Sequence, residues 1–400
     1  MIPRPHSFAQ LKPNSDWAKL PLFDRKGWKT VRFGEVVRML KEQVDPAAEG
    51  VARYVAGEHM QTENVHICKW GSVGNGYLGP AFIRRFRKGQ VLYGSRRTYL
   101  KKVAVAEWDG VTANTTFVLE AVDGKLLQEL LPWLMLSERF TEHSVQESKG
   151  STNPYINFPD IAKFEFALPP LDQQRRIAEI LWAVDEECEM ASAQIKELRI
   201  YQRALWFDYG KHNDVQTTRI GEVAQVSNGS TPSKADDRFW TNGTIPWLPT
   251  GKVHDRFIRA GDEFITETAL KERKARVFPK GSVLVAMIGQ GKTRGMAALM
   301  EIDASVNQNF ACITPRDVDS RYLFFALDFS YERLRRSAHG SNQEALNCAL
   351  VSDFPVPMVP RDRQVAIAER LMECDAAQAA IEQQVSAGRK LLTELSNAVL

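Results

Sequence analysis

The sequence comprises 400 residues, of which 44% are hydrophobic, and its 52 Lys and Arg against 49 Asp and Glu leave a net charge of +3. This length predicts two or three globular units that each bury a core, and the small net charge means that any affinity for a polyanion must be local. The five cysteines include no C-x-x-C pair, the seven histidines lack metal-ligand spacing, and neither an apolar leader nor a run of 18 apolar residues is present. These features argue against a disulfide framework, a metal site and a membrane span, and they predict a cytoplasmic location.

The chain opens with a predicted N-terminal arm, residues 1–27, and continues into a mixed region, residues 28–171. Short apolar runs in this region alternate with Gly, Pro, Asn and Asp, which predicts short strands with a few helices. A Pro-Pro pair ends the pattern. A long helix is predicted next, over residues 172–208, with Asp172 placed to cap its first amides.

The same order recurs after a predicted linker, residues 209–216. A second mixed region covers residues 217–360 and a second long helix covers residues 361–400. Five short patches match between the two halves in the same order, at offsets of 187 to 193 residues; the first pairs T-V-R-F-G-E-V at residue 30 with T-T-R-I-G-E-V at residue 217. We conclude that the chain consists of two divergent copies of one unit.

Apolar residues recur along both long helices with alternating spacings of four and three, which is typical of a coiled coil. The predicted seam positions are Ile177, Leu181, Val184, Cys188, Ala191, Ile195, Leu198 and Leu205 in the first helix, and Ile367, Leu371, Cys374, Ile381, Val385, Leu392 and Leu395 in the second. At 1.5 Å per residue each helix would run roughly 55 Å, too long for the core of a small domain. We therefore predict an antiparallel rod between two globular heads, imperfectly packed where Gln202, Gln378 and Gly388 interrupt the seam.

The first mixed region contains a strong local excess of positive charge. Residues 64–106 hold nine Lys and Arg and no Asp or Glu, whereas residues 172–208 hold eight acids against five bases. One charge run usually marks a solvated surface, but basic tracts at equivalent places in both copies favour nucleic-acid binding. The basic residues predicted to bind are Arg84, Arg85, Arg87, Arg96, Arg97, Lys101 and Lys102 in the first copy, and Lys274, Arg276, Lys292 and Arg294 in the second. The aromatic residues among the first set, Trp70, Tyr77, Tyr93 and Tyr99, are expected in the core.

Two motifs suggest enzymatic chemistry that their surroundings do not support. Residues 286–293, A-M-I-G-Q-G-K-T, nearly form a phosphate-binding loop, but too few residues follow for the further βαβ units of a nucleotide-binding core. Residues 153–155, N-P-Y, partly match the Asn-Pro-Pro-Tyr motif of adenine methyltransferases, without the second proline or an upstream glycine-rich loop. We predict neither nucleotide hydrolysis nor methyl transfer by this chain, and no catalytic or metal-binding residue.

The junctions between the mixed regions and the helices resemble those of a known family. Residues 166–177, F-A-L-P-P-L-D-Q-Q-R-R-I, resemble the segment that enters each long helix in the specificity subunits of type I restriction–modification systems. Residues 221–247, with N-G-S-T-P-S and W-T-N-G-T-I-P-W, resemble the opening of one target-recognition domain of that family, and G-S-V-L-V at 281 and N-Q-N at 307 resemble its later motifs. The second junction departs from the pattern, with P-R-D-R-Q in place of the usual Pro-Leu, and Asp replaces Glu at both junctions.

This resemblance, which extends from about Trp28 to Leu400, implies an α+β fold: two α/β target-recognition domains in a pseudo-twofold repeat, joined by two long antiparallel coiled-coil helices. Each domain would read one half of a split, asymmetric site in double-stranded DNA, and the helices would set the unread spacer. Asn114, Asn307 and Gln308 would join the basic residues at the DNA. Helix residues implied to bind partner subunits are Gln174, Ile177, Leu181, Gln364, Ile367 and Leu371.

The resemblance also implies a chain that is not itself an enzyme and holds no cofactor. Two methylation subunits would supply S-adenosylmethionine, and motor–nuclease restriction subunits would supply ATP and magnesium. Two alternatives stay open at this point. Instead of a type I specificity subunit, the chain would be the DNA-recognition module of another methyltransferase-based phage-defence complex, or a free-standing DNA-binding regulator.

Overall fold

The structure, a computed structural model, describes residues 25–74, 78–209, 215–289, 291–337 and 345–399. Most of the predicted N-terminal arm and the centre of the predicted linker lie outside these residues. The described chain divides into two compact units, unit 1 with residues up to 193 and from 382 onward, and unit 2 with residues 194–381. The sequence predicts helices separate from the domains, but each unit contains one mixed region and part of both long helices, because both helices contribute side chains to its core.

The globular region of unit 1 combines short strands with short helices. In chain order its elements are β1 (Lys29–Arg32), α1 (Phe33–Val36), β2 (Val37–Leu40), β3 (Arg53–Val55), β4 (Gly71–Ser72), β5 (Arg84–Phe86), β6 (Val91–Gly94), a 3-10 helix (Thr98–Leu100), β7 (Val103–Val105), β8 (Gly110–Thr112), β9 (Thr116–Ala121), α2 (Leu131–Leu136), α3 (Glu138–Gln146), α4 (Phe158–Ile161) and β10 (Glu165–Leu168). The strands form the sheets β2-β9-β6-β7 and β4-β3-β8-β5 and the antiparallel pair β1-β10.

The first long helix, α5 (Leu171–Tyr209), follows β10. The elements of unit 2 are then β11 (Gln216–Arg219), α6 (Ile220–Val223), β12 (Ala224–Asn228), a 3-10 helix (Asp237–Phe239), β13 (Ile245–Leu248), a 3-10 helix (Thr250–Asp255), β14 (Phe257–Ile258), β15 (Glu263–Ile265), α7 (Glu267–Lys271), β16 (Val277–Phe278), β17 (Val283–Ala286), β18 (Ala297–Met300), β19 (Ala304–Val306), β20 (Phe310–Pro315), α8 (Ser320–Asp328), α9 (Tyr331–Arg336), α10 (Cys348–Ser352) and β21 (Pro355–Met358). The second long helix, α11 (Arg361–Val399), completes the chain.

The sheets of unit 2 repeat those of unit 1. They have the orders β12-β20-β17-β18-β14 and β15-β13-β19-β16, with the antiparallel pair β11-β21. Each strand of unit 1 thus has a counterpart in unit 2, and β14 is an addition to the edge of the larger sheet. The parallel pair β3-β8 also recurs, as β13-β19. The predicted internal repeat is therefore a repeat of the fold.

The central strands β6 and β17 are buried on both faces. In β17, Val283 and Val285 belong to the core that includes the long helices, whereas Leu284 and Ala286 pack into the core between the two sheets. Successive side chains of a strand point to opposite faces, so a strand covered on both sides needs a continuous apolar run. This is why the sequence S-V-L-V-A shows no alternation of polar and apolar residues.

The long helices run antiparallel where they meet in unit 2. Arg199 donates to the side chain of Gln378 (3.3 Å), and Gln202 donates to the carbonyl of Leu371 (3.2 Å), so numbers rise along α5 as they fall along α11. In unit 1, a Cβ on Gly388 would lie 2.5 Å from the sulfur of Cys188. Gly388 therefore permits a close approach of the helices. Since Gln202 is also hydrogen-bonded to α11, both of these predicted interruptions are points of contact between the helices.

The residues implied to bind partner subunits face inward instead. Each is at most 4% exposed, and the set comprises Gln174, Ile177, Leu181, Gln364, Ile367 and Leu371. They fill the space between the start of each long helix and its own globular region. Because no surface of these side chains is free, the expectation that they contact a partner is corrected to a role inside each unit.

A buried glutamine joins each long helix to its unit by the same pattern. Gln174 accepts from the N–H of Leu127 (2.8 Å) and donates to the carbonyls of Lys125 and Pro169 (2.8 and 2.9 Å). Gln364 accepts from the N–H of Asp319 (2.8 Å) and donates to the carbonyl of Val359 (2.8 Å). These bonds satisfy backbone groups that burial would otherwise leave without partners. The glutamine in each junction motif is thus a structural connection.

We expect Gln174→Ala to lower the free energy of unfolding by about 2–5 kcal/mol, because it leaves several buried backbone groups without a hydrogen bond. Denaturant-induced unfolding of the full chain measures this change. Gln384→Ala, at an exposed position of α11, is the matched control and should change stability by less than about 0.5 kcal/mol. Equal destabilisation by the two substitutions would contradict the structural role of Gln174.

In the described part of the chain, no helix combines the length and the apolar composition needed to cross a membrane.

Candidate nucleic-acid interface

Strand pairing brings two loops of unit 1 to one edge of the sheet β2-β9-β6-β7. β6 ends at Gly94, which pairs with Thr116 at the start of β9, and Tyr93 pairs with Val103 at the start of β7. Residues 95–102 and 113–115 therefore leave the same edge. Ser95 joins the two segments by donating its backbone N–H (3.1 Å) and its hydroxyl (2.7 Å) to the carbonyl of Thr115. We call these two segments the loop edge of unit 1.

The loop edge of unit 1 presents Arg96, Arg97 and Asn114 to solvent, as the sequence predicts. Arg97 has a left-handed backbone (φ 50°), and its N–H donates to the carbonyl of Pro154 (2.7 Å). A non-glycine residue in this conformation must be held by its surroundings, and such residues concentrate at functional sites. Among the described residues, the side chains of Arg96 and Arg97 have no ion-pair partner, so both guanidinium groups are available to an anion.

Two exposed tyrosines lie beside these arginines. Tyr99 is 53% exposed within the loop edge, and Tyr155 is 43% exposed in a segment that forms a β-bridge with Arg96. The expectation that the aromatic residues of the basic tract are buried is confirmed for Tyr93 and is wrong for Tyr99 and for Trp70, which is 46% exposed. Tyr77 lies outside the described residues. Sequence reasoning missed Tyr155, although the N-P-Y motif that contains it was noted for a different chemistry.

Lys101 is buried inside the fold, whereas Lys102 stays partly exposed. Lys101 is buried between the carboxylates of Glu63 (2.9 Å) and Glu138 (2.5 Å). Burial opposes its charge, but the hydrogen bonds to Glu138 and Glu63 outweigh that effect and raise the pKa of Lys101 above its ordinary value. Lys102 donates to the carbonyl of Gly57. Lys101 therefore holds the loop in place, and its charge is already neutralised.

Arg84 and Arg85 lie in β5, in the sheet β4-β3-β8-β5, and Arg87 directly follows that strand. Carboxylates from outside residues 64–106 pair with Arg85 and Arg87. Arg85 pairs with Glu49, and Arg87 forms two hydrogen bonds with Glu42 (2.5 and 2.9 Å). Arg84 is half-buried. The predicted cationic surface at Arg84, Arg85 and Arg87 is thus weakened in the folded protein, because residues distant in sequence supply the missing negative charge.

Unit 2 has the same edge. The N–H of Met287 donates to the carbonyl of Asn309 (2.9 Å), as Ser95 does to Thr115 in unit 1. Residues 287–289, 291–296 and 307–309 form the loop edge of unit 2. Residues 229–233, which follow β12, lie against it, since the hydroxyl of Thr231 donates to Gln308 (2.5 Å).

The predicted residues of unit 2 divide into exposed and buried sets. Lys292, Gln308, Lys274 and Arg276 are exposed. Arg276 donates to the carbonyl of Asn228 (2.5 Å) at the end of β12, which places it near the loop edge. Arg294 and Asn307 are buried, and Asn307 donates to the hydroxyl of Thr250 (2.8 Å). Asn307 holds the loop through this bond, and the burial of both side chains argues against direct contact with DNA.

Sequence reasoning did not select Ser230, Thr231 and Thr250 as site residues. Ser230 donates to the carbonyl of Lys274 (2.7 Å) and accepts through its own carbonyl from Trp247 (3.0 Å). The signal was present for Ser230 and Thr231, because both lie in the N-G-S-T-P-S motif. Thr250 carried none, since its contact with Asn307 depends on the parallel pairing of β13 with β19.

The structure also bears on the nearly complete phosphate-binding loop at residues 286–293. β17 pairs antiparallel with β18, which follows the loop directly. A phosphate-binding loop requires a helix at this place, whose N-terminus would face the phosphates. Within the described residues, a strand therefore follows this segment where a nucleotide site would need a helix. Among the described residues, no group of His, Cys, Asp or Glu is arranged to hold a metal ion.

The chain is similar to proteins of known type. The profile of the family "Type I restriction modification DNA specificity domain" matches residues 25–199 and 212–388, one match for each copy of the repeat. The chain is 31% identical over 175 residues to the type I restriction enzyme MjaIX specificity subunit of Methanocaldococcus jannaschii, covering 42% of this chain and 40% of that protein. It is 23% identical over 169 residues to the EcoR124I/EcoR124II specificity subunit of Escherichia coli, covering 41% and 42%.

These alignments span about two-fifths of the length of each relative. The fold is shared over a greater length. The crystal structure of a type I restriction–modification system S subunit from M. genitalium matches with a TM-score of 0.63 at 15% identity, covering 96% of this chain and 98% of that one. Since both copies of the repeat match the family profile and together make up most of the sequence, this chain belongs to the family of type I restriction–modification DNA specificity domains.

Proposed function

We propose that the chain is the DNA-sequence-recognition subunit of a type I restriction–modification complex, and that each unit reads one half of a bipartite, asymmetric site. The observation that carries this proposal is the repeated loop edge. Both units present exposed cations beside an exposed amide, Arg96, Arg97 and Asn114 in one and Lys292 and Gln308 in the other. Cationic side chains bind phosphates, and Arg, Asn and Gln also bond base edges. Because the equivalent loops differ in sequence, they suit two different half-sites.

We infer that catalysis belongs to partner subunits. Two methylation subunits would bring S-adenosylmethionine, and motor–nuclease subunits would bring ATP and magnesium. The family match and the names of the relatives support this assignment. Together with DNA as the substrate, it implies a cytoplasmic location.

We further propose that a partner subunit covers one face of α5. Ile200, Ala204 and Phe207 are spaced four and three residues apart, so they share one side of the helix, and all are exposed. Exposed apolar side chains in such a row suit a protein interface. This face replaces the buried residues near the start of α5 as the candidate subunit contact.

The proposed function is tested with Arg96→Ala/Arg97→Ala. We expect weaker binding to every DNA sequence and a salt dependence that is shallower by up to about 1.8 in the slope of log K against log salt, since each lost phosphate contact contributes about 0.9. Binding of the assembled complex to DNA, measured across a salt series, gives both values.

Arg175→Ala/Arg176→Ala removes the same charge from exposed positions on α5 and should leave the slope unchanged. If the loop-edge variant bound DNA with the wild-type affinity and slope, the assignment of this edge to DNA would be wrong.

A further inference from the structure

An aspartate on each long helix occupies the same position of the repeat. Asp185 on α5 and Asp375 on α11 lie 190 residues apart, which is the offset of the junction motifs that precede them. Their side chains are only 6% and 12% exposed. A carboxylate so nearly removed from water requires a compensating charge and hydrogen bonds.

Each aspartate binds one cation from the globular part of its own unit. His66 contacts Asp185 through Nε2 (2.7 Å) and Glu107 through Nδ1 (3.4 Å). Arg256 contacts Asp375 (2.9 Å) and also a second carboxylate, Asp328 on α8 (2.9 Å). His66 and Arg256 are likewise 190 residues apart. Both units therefore place a cation between a helix carboxylate and a carboxylate of the globular region, although the cation is a histidine in one and an arginine in the other.

The segment that carries each cation also touches the loop edge. In unit 1, Glu63 pairs with Lys101, and its N–H donates to the carbonyl of that lysine (3.2 Å). In unit 2, the ring of His254 contacts the hydroxyl of Thr293 (3.3 Å). In each unit, a short segment thus has one polar contact with the long helix and another with the loop edge, and its backbone joins the two.

The backbone of these segments is held in an unfavourable conformation. Glu63 and Arg256 both have positive φ angles, 53° and 56°, which non-glycine residues rarely adopt. Non-glycine residues persist there only when the surrounding contacts determine the conformation. Since each segment is anchored on the helix at one end and on the loop edge at the other, loss of the helix anchor should let the segment relax and shift the loop.

We propose that Asp185 with His66, and Asp375 with Arg256, are repeat-equivalent positioning contacts that orient the loop edge of their own unit and thereby govern recognition of one half-site each. This inference rests on the proposed function. None of these four residues needs to touch DNA, because they act through Lys101 and Thr293.

The two contacts differ in their response to pH. Burial disfavours the charged form of His66, but hydrogen bonds to Asp185 and Glu107, with the charges of Asp185 and Glu189, outweigh it and raise the pKa of His66 to about 10. On α11, Arg389 faces the same cluster through its pair with Glu189 (2.9 Å). Because the folded pKa lies above the ordinary 6.5, the stabilisation is complete below pH 6.5 and is lost as the pH rises towards 10.

Arg256 stays charged throughout this range, so the contact in unit 2 has no alkaline loss of the kind expected for His66. Burial raises the pKa of Asp328, the second carboxylate at Arg256, above its ordinary value. Substituting His66→Arg should remove this alkaline loss of stability. Thermal unfolding of the wild type and of His66→Arg, compared between pH 6.5 and 9.5, measures the difference.

The positioning role is tested in the assembled complex with Asp185→Asn and Asp375→Asn. The controls are Glu187→Gln and Glu373→Gln, which remove the same charge from exposed positions in the same helix turns. The readout is the ratio of methylation at cognate sites to methylation at sites with one altered base, scored separately for the two halves. We expect Asp185→Asn to lower this ratio about tenfold or more, roughly the discrimination of one base pair, in one half only. Asp375→Asn should act on the other half, and the controls on neither.

Folded aspartate variants that keep wild-type discrimination, or that relax both halves equally, would overturn the proposal. If Asp185→Asn does not fold, His66→Arg and His66→Gln provide the test: the arginine, which already serves in unit 2, should retain discrimination, and glutamine should lose it. Equal discrimination by these two variants would also overturn the proposal. Absence of any half-site preference in the wild type would instead contradict the proposed function.

Discussion

Seven residues inserted into both long helices, between 193 and 194 and between 381 and 382, should give a protein that recognises the same two half-sites across a longer unread spacer. Seven residues complete two turns of the seam, so the apolar positions return to the same face. They add about 10.5 Å to each helix, close to three base pairs of DNA. The sequence alone suggests inserting into one helix. The structure requires both, because each unit holds a segment of both helices.

Insertions of other lengths test whether helix length sets the spacer or whether the helices merely tolerate added residues. Four residues add about 6 Å and create a stutter that paired helices absorb, so the spacer should lengthen less. Two residues turn the following helix by about 200° and should expose Leu198 and Leu205, giving poorly soluble protein. Mapping of methylated sites for each soluble variant measures the spacer. A constant spacer in active variants with longer helices would show that the helices do not set this distance.

Exchange of residues 28–171 for the equivalent region of another family member should change one half-site completely and leave the other intact. Each mismatched base pair typically weakens binding by about 10- to 100-fold, so preference for the original half-site should fall by roughly a hundredfold or more. The incoming region must preserve the contacts that join it to α5. It therefore needs a backbone N–H that donates to the side chain of Gln174, and a cation in the place of His66 that contacts Asp185.

Methylation-site mapping of the exchanged chain provides the measurement for this prediction. A reciprocal exchange of residues 217–360 is the matched control and should alter only the opposite half. A change in both halves after a single exchange, or in neither, would refute the independence of the two units.

The predicted loop-edge residues show why a charge count succeeds only in part. Arg96 and Arg97 are exposed and without carboxylate partners among the described residues, as the local charge excess predicts. Lys101 and Arg87 belong to the same tract but are paired with Glu138 and Glu42. These acids lie 37 and 45 residues away in sequence. A charge count over residues 64–106 does not include these acids, because they lie outside that stretch and only folding brings them to the lysine and the arginine.

Three features were determined from sequence alone. The shared order of patches in the two halves indicated the repeat, the continuous apolar runs indicated the buried strands, and the four-three spacing indicated the long helices. These patterns can be read along the chain, because the side chains on one face of a strand or helix recur at a fixed spacing. Only the tertiary structure showed that Gln174 is a buried connection, that Gly388 allows the helices to approach at Cys188, and that Asp185 and Asp375 each hold a cation. Such contacts join residues more than a hundred positions apart in most cases, and their partners differ in chemistry between the copies. No local pattern encodes them, because they arise when separately formed elements pack and their buried polar groups must find partners.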